Sequence, residues 1–397
     1  MSGYVPNPPK NYRYEEAKPV DIHAQRWAEY EKHGKEPAPA PEKIGIALRI
    51  GVFFDGTGNN ANNTAAGLLC GAQHPIAPQD IPASCTPYMG DPDSSYGADA
   101  TNIKKLADLY YESPIGEGEG AIKKVSRPLY IEGIGTRANE KDSLVGQGMG
   151  RGETGVAGRV QTSFTFIKQV IEDALQENPN SEIASITFDT FGFSRGAAAA
   201  RHFSNEIVRG KQGPLRDSLT TAKNFSRTFS DEYGGGINMG FIGLFDTVPS
   251  IAGFTNFGRV KSPIAPGVRL YLDRRFFHNV VHLVARDECR ANFALSRVKP
   301  DYPEYTCPGV HSDIGGSYLD EVEECVLVSP MQTLQVSINT DVKITSIYQD
   351  AAKVKSQWVA RFTSAHLGSL AINRRTKNVA SMGGYSRGGQ AIDGVFR

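Results

Sequence analysis

Three features of this chain have the right chemistry for acyl transfer: a serine in a glycine-flanked turn, a histidine in a loop and a carboxylate at the end of an apolar run. Gly192-Phe193-Ser194-Arg195-Gly196 follows the β-branched and aromatic stretch Ile183 to Phe191 and precedes the helix-favouring Ala197 to Ala200. A nucleophile on so sharp a strand-to-helix turn has strained backbone, so Gly192 and Gly196, two residues to either side, must lack side chains. The turn lifts the Ser194 hydroxyl above the sheet edge. It also puts the Arg195 N–H at the positive end of the next helix, where it can donate to an oxyanion. The bland alternative is a turn that only packs a helix tightly on a sheet; the strand before and the helix after favour the nucleophile.

A serine hydroxyl is unreactive until a base takes its proton, and the chain holds eight histidines. His23 and His33 fall in a proline-rich start, His74 in an insertion, His202 on the helix after Ser194 and facing away from the turn, and His366 in unremarked surroundings. His278 and His282 stand four apart in a stretch, Phe277 to Glu288, whose pattern predicts a helix. The glutamate of a zinc-binding His-Glu-x-x-His is missing there, so they read as packed helix histidines and no metal is expected. His311 remains, in the turn-rich Cys307-Pro308-Gly309-Val310-His311-Ser312-Asp313-Ile314-Gly315-Gly316, where a loop base belongs.

The acid should lie between serine and histidine in sequence. Asp246 ends the apolar run Gly240 to Phe245 and so projects from a strand's carboxyl edge, where it would hold the imidazole tautomer. Asp313 is the competing acid, read instead as a loop-ordering hydrogen-bond partner, and Asp189 faces a sheet surface. A second oxyanion donor is expected from the loop Asp55-Gly56-Thr57-Gly58, through the N–H of Gly56 or Thr57 with Asp55 ordering the loop. The plain alternative there is an Asx turn. Gly150-Arg151-Gly152-Glu153-Thr154-Gly155 satisfies a dinucleotide-binding string, but no strand leads into it, and no cofactor is expected.

The elements that must position these groups alternate. Ile44 to Phe54 reads as a strand, Thr101 to Tyr111 as a helix, Pro128 to Gly133 as a short strand, the stretch from Val160 to Leu175 as an amphipathic helix, and Asn238 to Phe245 as a strand. The pattern predicts an α/β fold with a mainly parallel sheet and helices on both faces. One domain is expected over 43–397, with insertions near 61–99 and 250–276, behind a proline-rich arm at 1–42 that is either a docking arm with one short helix or a disordered terminus. Residues 326–397 have no clear pattern.

The chain has 397 residues, with 43 Lys+Arg balanced by 43 Asp+Glu, so bulk charge gives no reason to expect nucleic acid or an anionic lipid surface as a partner. Any lipid must then be gripped by apolar contact, and Ile251 to Phe277, with Phe254, Phe257, Tyr271, Phe276 and Phe277, reads as either a lid and acyl pocket or a packed connecting loop. No run approaches the roughly 18 apolar residues of a membrane span, and the start lacks a secretory signal, so synthesis in the cytoplasm and export by another route are expected. Cys70 and Cys85 share one loop-like stretch; free thiols are favoured over a bridge.

Phe53-Phe54-Asp55-Gly56-Thr57-Gly58-Asn59, Thr101-Asn102, Glu132-Gly133-Ile134-Gly135-Thr136, the Ser194 turn, Gly243-Leu244-Phe245-Asp246-Thr247-Val248, Arg286-Asp287-Glu288 and the His311 loop resemble, in order, blocks of the α/β-hydrolase catalytic domain of type VI secretion phospholipase effectors. The likeness runs from about residue 48 to 318. It implies a Ser194, Asp246, His311 triad, in agreement with the elimination above. It also implies phospholipase A action on bacterial membrane glycerophospholipids in a recipient cell's periplasm, delivery by a secretion tip or carrier protein, and a blocking immunity protein. A soluble small-ester or acyl hydrolase with no toxin role, and a non-catalytic binding protein on a hydrolase scaffold, are the alternatives.

Overall fold

The computed structural model describes residues 43–111, 122–143, 155–220, 224–249, 267–290, 293–319, 332–336, 340–361, 371–380 and 386–396. The arm at 1–42, the glycine-rich string at 150–155 apart from Gly155, and the part of the expected lid at 250–266 lie outside them, as do His23, His33 and His366. Contacts divide the chain into two units, Met1–Leu319 and Asp320–Arg397, where the sequence pattern carries one domain to the end.

In the first unit, β1 (Ile44–Phe54) is followed by α1 (Ala61–Cys70), α2 (Asn102–Leu109), β2 (Ile122–Ile131), α3 (Val156–Glu177), β3 (Ser181–Phe193), α4 (Arg195–Ile207), α5 (Leu215–Thr220), β4 (Ile237–Phe245), β5 (Val280–Ala285), β6 (Glu304–Cys307) and α6 (His311–Gly315). The strands form one parallel sheet in the order β2-β1-β3-β4-β5-β6. Helices cover both faces. Phe54 joins the core under α3 and α4, whereas its neighbour Phe53 packs with Ile103 and Ala107 of α2 and with Phe193. Successive strand residues point to opposite faces, so both being buried is what a doubly covered sheet requires.

The helix faces follow from their sequences. On α3 the residues Val160, Phe164, Ile167 and Ile171 make one buried stripe. On α4 the alanines Ala197 to Ala200 are fully buried, which lets the helix sit close to the sheet. Phe203 fills the space beyond them, its ring 5.5 Å from Phe54, 5.3 Å from Phe164 and 5.7 Å from Phe188. Truncation of such a side chain to alanine costs about 3 to 5 kcal/mol.

Chain order reverses at β1, which has β2 on one side and β3 on the other. Loops leaving the carboxyl ends of β1 and β3 therefore part from one another and open a crevice. Residues 55–60 and Ser194 stand at its edges.

Two expectations are corrected. Phe277 to Glu288 is not a helix: Val280–Ala285 is a strand paired with β4 and β6. Buried Val280, His282 and Val284 alternate with half-buried Val281, Leu283 and Ala285, but both sets are mostly apolar, so the sequence carries no strand alternation and the i, i+4 histidines imitated a helix. Cys70 and Cys85 are not free thiols but form a disulfide, with Cα atoms 5.7 Å apart. It ties the end of α1 to the loop carrying Met89 and Tyr96, which pack beside it.

In the second unit, β7 (Gln332–Gln335), α7 (Ser346–Arg361), β8 (Ala371–Ala380) and β9 (Ser386–Phe396) include an antiparallel sheet in the order β7-β9-β8. Among the described residues no helix is long and apolar enough to cross a membrane.

Candidate active site

Ser194 sits between β3 and α4 with φ 59° and ψ −123°, backbone that a side-chain-bearing residue adopts only under constraint. The constraint is visible. Its N–H donates to Phe245 O (3.0 Å), and its carbonyl accepts from the amides of Ala197 (3.1 Å) and Val248 (3.3 Å). The flanking glycines have no alternative: a Cβ on Gly192 would stand 2.3 Å from Gly196 O, and one on Gly196 2.3 Å from Phe54 O and 2.4 Å from Asp55 O. Arg195 opens α4, so its N–H lies at the helix's positive end. Burial lowers its guanidinium to about 10, still charged at neutral pH.

Asp246 directly follows β4 and is 2% exposed; His311 opens α6 and is 4% exposed. His311 Nδ1 lies 2.6 Å from Asp246 Oδ2, and the other carboxylate oxygen accepts from Ala285 N–H at 2.9 Å. With the carboxylate a pure acceptor, Nδ1 carries the proton and Nε2 is left to accept. The imidazole is sandwiched, its centroid 4.6 Å from that of Phe193 and 4.9 Å from that of Phe293. The structure thus joins two of the three expected residues directly. No hydrogen bond links Ser194 Oγ to His311, but both line one cavity of about 320 Å³. A nucleophile–base contact that tightens only with substrate is common in unliganded enzymes.

Asp313 is not beside the imidazole nitrogen: its Oδ2 accepts from Val310 N–H (2.7 Å), closing the turn that precedes His311. Asp189 binds Arg49 (2.6 and 2.8 Å) and the Tyr110 hydroxyl (2.7 Å) at the sheet surface. His202 Nδ1 accepts from Arg269 N–H (3.2 Å) on the far side of α4.

Asp55 is buried and receives three donors: Gly56 N–H (2.7 Å), Thr101 Oγ1–H (2.7 Å) and Tyr130 O–H (2.5 Å). Each hydroxyl has its own lone pair occupied, by Lys104 N–H and by Ala61 N–H, which fixes the direction of donation toward Asp55. Burial nevertheless pushes this carboxyl up to about 6, the three donors opposing it. Because Gly56 N–H is committed to Asp55, Thr57 is the member of the expected pair that lines the cavity. Its Oγ1 is buried with no partner among the described residues.

The cavity wall also includes Asn59, Ser94, Ser95, Asp142, Arg290 and Ser312, so its lining is mainly polar. Sequence reasoning missed several of these. Glu288 accepts from His311 N–H (3.3 Å) and from Arg290, whose guanidinium stacks 3.7 Å from the Phe293 centroid. Burial opposes ionisation of Glu288, but these donors outweigh it and hold the carboxyl at about 2. The one signal for Glu288 was its place in the Arg286-Asp287-Glu288 block of the resemblance. Among the described residues no cluster of side chains is suited to hold a metal ion.

A family model described as the catalytic domain of type VI secretion Tle1-like phospholipase effectors matches residues 209–339, a span holding Asp246 and His311 but not Ser194. A solved structure of a Tle1 effector, bound to the VgrG spike of the type 6 secretion system, is 30% identical over 89% of this chain and 69% of that one, with a TM-score of 0.55. A Pseudomonas aeruginosa protein described as uncharacterized is 21% identical over 69% of this chain and 42% of that one; at a TM-score of 0.35 it carries no argument. No curated protein matches.

Proposed function

The chain belongs to the Tle1-like family of type VI secretion phospholipase effectors, and from that premise we propose that it is a serine hydrolase cleaving an acyl ester of membrane glycerophospholipids through an acyl-enzyme. The observation that carries this reading is the buried His311–Asp246 bond of 2.6 Å, with His311 lining the same cavity as a serine with left-handed backbone.

In this mechanism Ser194 Oγ attacks the ester carbonyl as His311 Nε2 takes its proton. Asp246 stabilises the imidazolium without itself accepting a proton. The N–H groups of Arg195 and Thr57 receive the oxyanion. The carbon–oxygen bond to glycerol then breaks, and the proton on His311 goes to the leaving alkoxide. Water, deprotonated by the same imidazole, attacks the acyl-enzyme and releases a fatty acid and free Ser194. Asp55 keeps the Gly56–Thr57 turn in place, and Asp313 shapes the loop that carries His311.

The test is acyl release from glycerophospholipid vesicles, followed by mass spectrometry. Ser194→Ala should lower turnover roughly 10⁴- to 10⁶-fold, and retained activity would discard the mechanism. The polar cavity also suits a small soluble ester, which gives the second reading its support. Faster turnover of vesicles than of short-chain esters counts against it.

The relative bound to a VgrG spike supports a spike or carrier protein as partner for delivery; action in the recipient's periplasm and an immunity protein as inhibitor are part of the same proposal. We assign carrier docking to the arm at 1–42. Delivery unchanged by deletion of residues 1–40 removes that assignment.

A further inference from the structure

His282 takes no part in the reaction above, does not line the cavity, and is completely buried on β5. Its contacts nevertheless converge on the turn carrying the proposed acid. Thr247 N–H donates to His282 Nε2 at 3.1 Å, Thr247 Oγ1 lies at 3.1 Å from the same nitrogen, and Nδ1 faces Glu304 Oε1 at 3.2 Å. A backbone amide can only donate, so Nε2 carries no proton; Nδ1 does, and gives it to Glu304.

The clamped turn is strained. Asp246 has φ 41°, and β5 holds it on both sides: its N–H donates to Leu283 O (2.8 Å) while Ala285 N–H donates to its Oδ1 (2.9 Å). Thr247 O accepts from Ser296 N–H at 2.9 Å. Glu304 is itself fixed by Val298 N–H (2.8 Å) and the Arg297 guanidinium (2.8 Å).

We propose that His282 and Glu304 are a second buried imidazole–carboxylate pair, a positioning device that holds the Asp246–Thr247 turn, and through it the carboxylate facing His311, only while His282 is neutral. This deepens the hydrolase reading and rests on it. Protonation would set an Nε2–H against the Thr247 N–H and remove the acceptor that the strained turn requires.

The charged groups around the ring are Glu304 on β6, Arg297 before it, Arg201 on α4 and Asp246 just after β4. Burial lowers the His282 pKa first of all, Glu304 and Asp246 oppose that, and Arg201 adds to it. The imidazole is therefore neutral where its unperturbed value near 6.5 would leave it part-charged.

His282→Leu removes the acceptor, whereas His282→Gln keeps one oxygen for Thr247 and one N–H for Glu304 and cannot take a proton. His282→Leu should lower kcat about 10- to 100-fold, the cost of an unpaired buried amide, with KM little changed, and His282→Gln should restore most of it. In the acid limb of kcat the wild type should approach a two-proton slope and His282→Gln a one-proton slope. Full activity in His282→Leu overturns the proposal, and so do equal losses in both variants with unchanged slopes. If His282→Leu does not fold, the slope of His282→Gln decides. Nitrogen NMR of the wild type is a readout independent of turnover: a protonated Nε2 on His282 at neutral pH overturns the clamp even if vesicle hydrolysis, and with it the hydrolase reading, also fails.

Discussion

Asp246→Asn separates the tautomer role of the carboxylate from its shape. Ala285 N–H points at Oδ1 from 2.9 Å, so the introduced amide must keep its oxygen there and turn its NH₂ toward His311. The group now 2.6 Å from His311 Nδ1 becomes a donor, Nδ1 must accept, and the ring proton moves to Nε2. An imidazole protonated at Nε2 cannot take the proton of Ser194. Both hydrogen bonds survive, one with reversed polarity, so the fold should stay within about 2 kcal/mol of wild type. Turnover should fall about 10⁴-fold, or about 5.5 kcal/mol in activation free energy. KM should barely move, because the amide touches no substrate. The assay is steady-state acyl release from vesicles, with reaction of Ser194 with a fluorophosphonate as a second readout and thermal unfolding as the fold control. A folded Asp246→Asn within tenfold of wild-type kcat would refute the argument that Asp246 sets the tautomer.

Gly196→Ala should cost about 10²-fold in kcat, because a Cβ 2.3 Å from Phe54 O must push the Ser194 turn aside by roughly 1 Å, a displacement of that cost in other active sites; an unchanged kcat would mean the turn has slack. The Asp55 carboxyl has a folded pKa of about 6, above its ordinary 3.8, so its contribution to stability is greatest below 3.8 and is lost as pH rises through about 6. The stability difference between wild type and Asp55→Asn should accordingly shift by about 3 kcal/mol, from two pKa units at 1.36 each, across that window in denaturant titrations, and a flat difference contradicts it. Reduction of Cys70–Cys85, which closes a loop of 15 residues, should destabilise by about 3 kcal/mol. Hydrogen exchange should then quicken through Asp93 to Ala98 on the cavity wall, and equal protection with and without reductant counts against a role for the bridge there.

Much of the site was legible because its determinants are local. The Ser194 turn needs glycines two residues to either side, a strand before and a helix after, and all of these are adjacent in sequence. Asp246 was readable as the polar stop to an apolar strand, and His311 by elimination among eight histidines. Strands β1, β3 and β4 and the stripe on α3 followed from periodicity, which is a local property too.

What escaped was decided by groups far apart in the chain. Val280–Ala285 became a strand because β4 and β6 pair with its two edges, and no pattern within those residues records its neighbours. His282 gained its place through Thr247 and Glu304, 35 and 22 residues away, and Cys70 found Cys85 because α1 and the following loop fold back. One Asp55 oxygen holds the Gly56 amide, and Thr57 is the one of the two that lines the cavity. Residue types and their spacing determined which groups are capable of chemistry. Only the folded sheet, by bringing separate strand ends together and removing water from between them, decided which nitrogen holds each proton and which carboxylate faces His311.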